Sequence, residues 1–193
     1  MRLIIGISGA SGVIYGIRLL EVLRDTDIET HLVMSNTGKL NVRLETDYSI
    51  ERVESLADVV HASQNLAATI ASGSFSTDGM IVAPCSMKSL SAIVHSYSDS
   101  LLTRAADVTL KEGRKLVLIP RETPLHAGHC KLLYEATQIG AQILPPMPAF
   151  YTKPASVDDI INQTVGRALD LFGIETDLVE RWSGPNLDRS LDG

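Results

Sequence analysis

The feature that most constrains the fold is a set of short, almost continuous apolar runs. Leu3–Ile7, Gly79–Pro84 and Lys115–Pro120 consist largely of aliphatic residues and lack the alternating polar positions of a half-exposed strand. A strand of this kind is buried on both faces, as in a parallel sheet that helices cover on each side. The three runs therefore predict central strands of such a sheet.

The segments between these runs alternate in type. Val13–Arg24 carries apolar residues three and four positions apart, which predicts a helix after the first strand. Strands alternating with helices predict an α/β, Rossmann-like three-layer α/β/α sandwich with a mostly parallel sheet of about six strands, ordered 3-2-1-4-5-6. We expect the other strands at His31–Met34, Asp58–His61 and Ala141–Leu144, a polar connection at Ser35–Lys39, and helices at Ile50–Ala57, within Met87–Gly113, at Pro124–Ile139 and at Val157–Phe172.

Length and composition set the class of protein. The 193 residues, 45% of them hydrophobic, suit a single domain over 1–193 with a polar tail from about 175. The net charge of −6 and the absence of a Lys/Arg face make nucleic acid an unexpected partner. The apolar N-terminal run is too short for a signal or a membrane span, so we expect a cytoplasmic protein. Cys85 and Cys130 lie far apart without a His/Cys cluster, so no metal site is expected.

A glycine- and serine-rich loop, Gly6–Gly12, separates the first strand from the first helix. Backbone N–H groups and the helix dipole at such a position favour an anion, although a purely structural turn has the same composition. The spacing G-x-x-G-x-x-G is not that of a dinucleotide site, and no acid follows the second strand at Ser35-Asn36. No Gly-Lys-Ser/Thr follows either, so the hydroxyls of Ser8, Ser11 and Ser35 favour a mononucleotide phosphate over NAD or ATP.

Polar residues follow the ends of several strands. In an open α/β sheet, ligands bind beyond the carboxyl ends of the strands, so these residues form the candidate site. They are Ser8–Gly12, Ser35-Asn36, Cys85–Ser89, Arg121-Glu122 and Met147–Tyr151.

Six segments carry a resemblance to a known family: Ser8–Gly12, Pro84–Lys88, Arg104–Asp107, Leu110–Glu112, Leu116–Pro124 and Pro148–Tyr151. Through them the chain resembles, over essentially its whole length, the UbiX-type flavin prenyltransferases of the HFCD flavoprotein superfamily. Ser74-Phe75 and Pro145–Pro148 resemble the members that accompany hydroxyaryl-acid decarboxylases.

The resemblance implies an activity. Family members join a dimethylallyl group from dimethylallyl phosphate to N5 and C6 of reduced FMN, which gives prenylated FMN for a UbiD-type aromatic acid decarboxylase. It also implies a homo-oligomer, a dodecamer with FMN at subunit interfaces, and no metal.

The matched positions imply roles for individual residues. Glu122 matches the family's acid/base residue, Glu45 a second glutamate facing the prenyl site, and Ser11 a hydroxyl near flavin N5, with Lys111 completing the catalytic set. The positions that match FMN-binding segments are Gly9, Ala10, Ser11, Ser35, Ser86, Met87, Lys88, Ser89 and Arg121; those implied for dimethylallyl phosphate are Tyr151, Arg167, Arg104, Lys111 and Trp182.

Structural interpretations of the same residues stay open. Arg104 with Asp107 and Arg167 with Asp170 have the spacing of exposed helical ion pairs. Glu122 can serve as a partner for a helix N-terminus, and Trp182 can anchor the tail.

Two other functions are alternatives to prenyl transfer. A stand-alone FMN-dependent aromatic acid decarboxylase of the cysteine-decarboxylase type requires a catalytic histidine and a Pro-x-Met-Asn-x-x-Met-Trp segment, which the sequence lacks. A non-catalytic flavin carrier needs no cations beside Glu122. The chain also departs from its relatives at Asn36, where a lysine is common, and at His129-Cys130-Lys131.

Overall fold

The computed structural model describes residues 1–179, so Trp182 lies outside the described part. Six strands form one sheet in the order β3-β2-β1-β4-β5-β6, and every neighbouring pair is parallel. The predicted class and strand order are confirmed. The strands are β1 (Arg2–Ile7), β2 (Glu29–Met34), β3 (Val59–His61), β4 (Gly79–Cys85), β5 (Lys115–Pro120) and β6 (Gln142–Ile143).

Helices cover both faces of the sheet, as the apolar strands require. Helices α1, α2, α3 and α7 bury side chains on one face, and α4, α5 and α6 bury theirs on the other. The helices are α1 (Val13–Arg24), α2 (Asn36–Glu45), α3 (Ile50–Glu54), α4 (Met87–Val94), α5 (Leu101–Lys111), α6 (Ala127–Gln138) and α7 (Val157–Asp170), with 3-10 turns at Thr69–Ala71 and Phe150–Thr152.

Alternate residues of the central strands pack into opposite layers. In β5, Val117 and Ile119 join the α1/α7 layer, whereas Leu116 and Leu118 join the α4/α5 layer. All four are fully buried. Because burial of one such side chain stabilises the fold by roughly 1.5–3 kcal/mol, the central strands hold the carboxyl ends of the sheet in fixed positions.

Helix α2 was not predicted, and the interpretation of Ser35–Lys39 as a polar connection was wrong. Within α2 only Gly38 and Val42 are buried, so the segment has almost no apolar period. The helix begins because the Ser35 hydroxyl accepts a hydrogen bond from the Gly38 N–H at 3.0 Å. Its position after β2 brings its first turn to the carboxyl edge of the sheet, where the strands end.

Candidate functional site

A cleft of about 460 Å³ opens at the carboxyl edge beside β1. Strand β1 lies between β2 and β4, so the connections that leave β1 and β4 diverge there, as at the ligand sites of doubly wound sheets. Gly9 follows β1, Ser35–Thr37 follow β2, and Ser86, Lys88 and Ser89 follow β4; all of them line the cleft. The volume lies within the usual range for small-molecule sites.

Three helix N-termini meet at this cleft. A serine caps each one, and its hydroxyl accepts a backbone N–H: Ser35 in α2, Ser86 in α4 at 3.2 Å, and Ser100 in α5 at 3.3 Å. The positive ends of three helix dipoles and the Lys88 ammonium therefore act on one small volume. This arrangement suits a phosphate group, so the residues present fit the phosphate end of a mononucleotide such as FMN.

The cleft contains part of the predicted FMN set. Gly9, Ser35, Ser86, Lys88 and Ser89 line it, and Ala10, Ser11 and Met87 are their neighbours in the chain. Sequence reasoning missed Thr37, Ser63, Gln64, Ser100 and Thr103, which also line the cleft. The reciprocal Ser100/Thr103 capping box carries a readable spacing signal, whereas nothing in the sequence marks Ser63 or Gln64.

Ser8 is not available to a phosphate, contrary to the expectation from the loop. Its side chain is fully buried. The Ser8 hydroxyl donates to the Pro84 carbonyl at 2.9 Å and accepts the Ser86 N–H at 2.8 Å. Ser8 therefore ties the end of β1 to the end of β4 and positions the α4 N-terminus.

The N-terminus of α1 is already occupied by a carboxylate of the same chain. Glu45 accepts hydrogen bonds from the Gly12 N–H at 2.8 Å and from the Val13 N–H at 3.4 Å. Gly12 has φ of 99°, a left-handed conformation that glycine adopts without strain. The anion site expected at this helix is thus filled by Glu45, and the neighbouring cleft is the position left for a phosphate.

Arg121 and Glu122 lie where β5 ends, and both side chains are exposed. The Arg121 N–H donates to the Cys85 carbonyl at 3.2 Å, which holds this turn against the end of β4. Burial raises the pKa of the Tyr15 phenol and the Arg121 guanidinium opposes that rise, so Arg121 lies near the first turn of α1. Glu122 accepts the N–H of Thr123 at 3.0 Å, while the N-cap of α6 is His126.

One implied phosphate ligand, Lys111, lies away from this edge within the single chain. Helix α5 starts at the cleft and rises about 1.5 Å per residue, which carries Lys111 about 15 Å along the axis toward the opposite, amino edge. Lys111 pairs there with Glu112. Arg104 donates to the Ala71 carbonyl at 3.2 Å and pairs with Asp107 at 2.9 Å. One chain does not bring Lys111 to Glu122.

Arg167 also forms the helical ion pair that its spacing allows. Its guanidinium lies 2.7 Å from the Asp170 carboxylate. The end of α7 lies at the amino edge, because the Lys115 ammonium at the start of β5 donates to the Leu171 carbonyl. Tyr151 is 55% exposed in the 3-10 turn that follows β6.

Neither a candidate metal cluster nor a membrane-spanning helix is found within residues 1–179. No group of three or more His, Cys, Asp or Glu side chains is placed to hold a metal ion in that part of the chain. None of its helices has the length and apolar character needed to cross a membrane.

Comparison with known sequences finds one matching family model and relatives that align over nearly the whole chain. The sequence model of the Flavoprotein family matches residues 1–169. A flavin prenyltransferase UbiX from Escherichia coli is 63% identical over 186 residues, covering 95% of this chain and 98% of the relative. One from Thauera aromatica is 56% identical, covering 99% of this chain and 98% of the relative.

Two solved structures are similar to this chain in both fold and sequence. A dodecameric FMN-dependent UbiX-like decarboxylase from Escherichia coli O157:H7 superposes with a TM-score of 0.93 at 52% identity, covering 95% of this chain and 100% of the other. AnUbiX (PadA1), in complex with FMN and dimethylallyl pyrophosphate, has a TM-score of 0.93 at 50% identity, with coverage of 95% and 97%.

Proposed function

This chain belongs to the Flavoprotein family and, within it, to the UbiX-type flavin prenyltransferases, and we propose that its carboxyl-edge cleft holds FMN for prenylation. The enzyme transfers a dimethylallyl group to N5 and C6 of reduced FMN. One observation supports the site most strongly: five FMN-matched residues line a cleft on which three helix N-termini converge.

In this proposal the chain supplies the anion site and the reduced flavin supplies the nucleophile. Ser35, Ser86 and Ser89 hold the phosphate together with the backbone N–H groups of α2 and α4, and Lys88 adds a positive charge. Gly9 and Ala10 form the surface that faces the part of FMN between its phosphate and its ring. We assign Ser11 and Met87 to the flavin ring and Arg121 to the site as a further cation.

We assign the proton transfers to Glu122. Loss of a phosphate from an allylic substrate is assisted by a proton on the leaving oxygen, and closure of the new ring at C6 returns a proton. Glu122 is exposed at the carboxyl edge and is not held in an ion pair among the described residues. Its carboxyl group is therefore free to reach a substrate oxygen.

The residues implied for dimethylallyl phosphate require more than one chain in this proposal. Lys111 lies away from Glu122 in its own chain, so we infer that a neighbouring copy presents it together with Arg104, with Tyr151 and Arg167 as further ligands. A homo-oligomer, in the dodecameric form described for the Escherichia coli O157:H7 relative, accounts for this separation. Trp182 is implied for the same region and lies outside the described residues.

The proposal also includes an enzyme that uses the product. Prenylated FMN is a modified cofactor with no use in the reaction that makes it, so an acceptor enzyme must take it up. The family relationship points to a UbiD-type aromatic acid decarboxylase, and we propose that both proteins act in the cytoplasm.

The test incubates the protein with reduced FMN and dimethylallyl phosphate under anoxia and determines the mass of the released flavin. A gain of one prenyl unit is expected. An unchanged flavin mass with both the monophosphate and the pyrophosphate would sink the proposal. One solved relative is described as a decarboxylase, so a parallel reaction contains an aromatic acid. Carbon dioxide release by this chain alone would support that alternative.

A further inference from the structure

We propose that helix α2 fixes the conformation of the Gly9–Gly12 loop for FMN, and that Asn41 is a positioning residue for flavin binding through this contact. The inference rests on the proposed function, because it assumes that the loop forms part of the FMN site. It assigns a role to a helix and to a residue that the sequence motifs do not mark.

Three residues of α2 contact the loop. Thr37, Asn41 and Glu45 are spaced four positions apart, so they lie along one face of the helix; we call this face the loop-facing stripe. Asn41 Nδ2 donates to the Ala10 carbonyl at 3.0 Å. Glu45 accepts the N–H groups of Gly12 and Val13. At the start of the stripe, a Cβ added to Gly9 would lie 2.5 Å from the Thr37 Cβ, so helix and loop touch directly.

The contacts hold the loop from both sides of the peptide chain. Asn41 binds a carbonyl oxygen, and Glu45 binds N–H groups two and three residues later. Because a donor and an acceptor of the stripe engage opposite backbone groups, the loop cannot rotate a peptide plane without losing one of them. The backbone that faces the flavin is therefore set before FMN arrives, which lowers the entropy cost of binding.

The position of Asn41 makes its effect specific to the flavin. Its amide is partly buried between α2 and the loop and does not line the cleft. It therefore does not form part of the proposed phosphate subsite. Removal of the contact is expected to alter FMN affinity, with little direct effect on the affinity for the prenyl substrate.

The first experiment measures FMN binding to the full-length protein by quenching of flavin fluorescence. Asn41→Ala is expected to weaken binding about threefold to tenfold, the range for loss of one hydrogen bond. Asn41→Asp is expected to weaken it further, because a carboxylate oxygen then faces the Ala10 carbonyl. The matched control is Arg43→Ala, an exposed position of the same helix outside the stripe. Equal affinities for wild type and Asn41→Ala, or equal losses in Asn41→Ala and Arg43→Ala, would overturn the proposal.

Steady-state kinetics separate positioning from general damage. The KM for FMN is expected to rise in Asn41→Ala, while kcat and the KM for dimethylallyl phosphate stay near the wild-type values. A fall in kcat with an unchanged KM for FMN would refute the positioning role. If the wild-type protein binds FMN but does not prenylate it, the proposed function fails, and the order of FMN affinities still tests the role of α2.

A second pair of variants tests the stripe at Glu45 if the Asn41 variants do not fold. Glu45→Gln keeps an oxygen that accepts the Gly12 N–H, so FMN affinity is expected to stay within about twofold of wild type. Glu45→Ala leaves that N–H without its partner and is expected to bind FMN about tenfold more weakly. The same FMN affinity in Glu45→Ala as in wild type would mean that the α1 cap does not position the loop.

Discussion

Ser8 and Ser35 carry the same hydroxyl group next to the same loop, yet burial gives them different roles. Ser8 is fully buried and bonds the backbone on both sides, to Pro84 and Ser86. Ser35 is only partly buried, caps α2 and lines the cleft. A hydroxyl in a glycine-rich loop is therefore weak evidence for a ligand until its accessibility is known.

The buried Ser8 hydroxyl leads to a stability prediction. Ser8→Ala leaves the Ser86 N–H without its partner inside the protein, which costs about 1–3 kcal/mol, whereas the Pro84 carbonyl keeps its hydrogen bond from the Ser8 backbone N–H at 3.2 Å. Urea unfolding at fixed protein concentration measures the loss. Ser55→Ala is the control, because the Ser55 hydroxyl bonds the Arg52 carbonyl in an exposed turn. Equal effects of the two substitutions would show that the Ser8 hydroxyl does not link the strands.

Glu122 gives a catalytic prediction at the same scale. Glu122→Gln keeps the size of the side chain and removes its proton-transfer capacity, so prenylation is expected to slow by about a hundredfold or more. FMN affinity is expected to stay at the wild-type value. Flavin mass against time measures the rate, and Glu51→Gln, at an exposed position of α3, is the control. Unchanged turnover in Glu122→Gln would remove this residue from the mechanism.

At the scale of elements, β1, β2 and β3 share a chain of polar contacts away from the cleft. The Arg2 guanidinium bonds Glu29 at 2.8 Å, Glu29 bonds His31 at 2.9 Å, and His31 bonds His61 at 2.9 Å. His31 is 2% exposed. These hydrogen bonds fasten the short edge strand β3 to the middle of the sheet. Strand β3 has only three residues, so apolar packing alone gives it little support.

The contacts from Arg2 to His61 give a prediction for the pH dependence of stability. Hydrogen bonds from Arg2 and then His31 lower the pKa of Glu29 to about 2, against 4.5 for the unperturbed group. A carboxyl group with a lowered pKa stabilises the fold fully above its unfolded pKa and loses that contribution as pH falls toward the folded pKa. Burial, followed by the charge of His31, also lowers the pKa of His61, so its protonation acts in the same direction.

The expected result is a difference in melting temperature between Glu29→Gln and wild type that becomes smaller as the pH falls. Glu29→Gln should lower the melting temperature at pH 7, and the gap to wild type should close between about pH 4.5 and pH 2. Calorimetry at constant protein concentration measures it. Glu135→Gln, which breaks a surface contact of 3.5 Å with Lys131, is the control and should shift the midpoint little. A gap that is constant over this range would contradict the assigned pKa.

The elements also show what the sequence can reveal. The central strands could be predicted to within a few residues because their burial on both faces removes polar positions from Leu3–Ile7 and Lys115–Pro120. Helix α2 could not, since its position depends on the Ser35 cap and on contacts with a distant loop. The placement of Lys111 at the far edge follows from helix direction, which the motif around it does not encode.

At the scale of the whole molecule, the sheet separates the parts of the proposed site. Glu122 lies at the carboxyl edge, whereas Lys111 lies near the amino edge with Glu112 and the Gly73 turn. Strand β5 has six residues and spans about 20 Å, so no side-chain movement joins the two groups within one chain. A site that uses both must be built by neighbouring copies.

Mixed oligomers test this inference. Glu122→Gln and Lys111→Met are each expected to abolish most prenylation alone, because every site then lacks one group. When the two chains are co-expressed, some sites combine an intact Glu122 from one copy with an intact Lys111 from its neighbour. Random mixing in equal amounts should restore about one quarter of the wild-type sites. If both groups instead acted within one chain, every site would stay defective, and the mixture would show only the sum of the two residual activities.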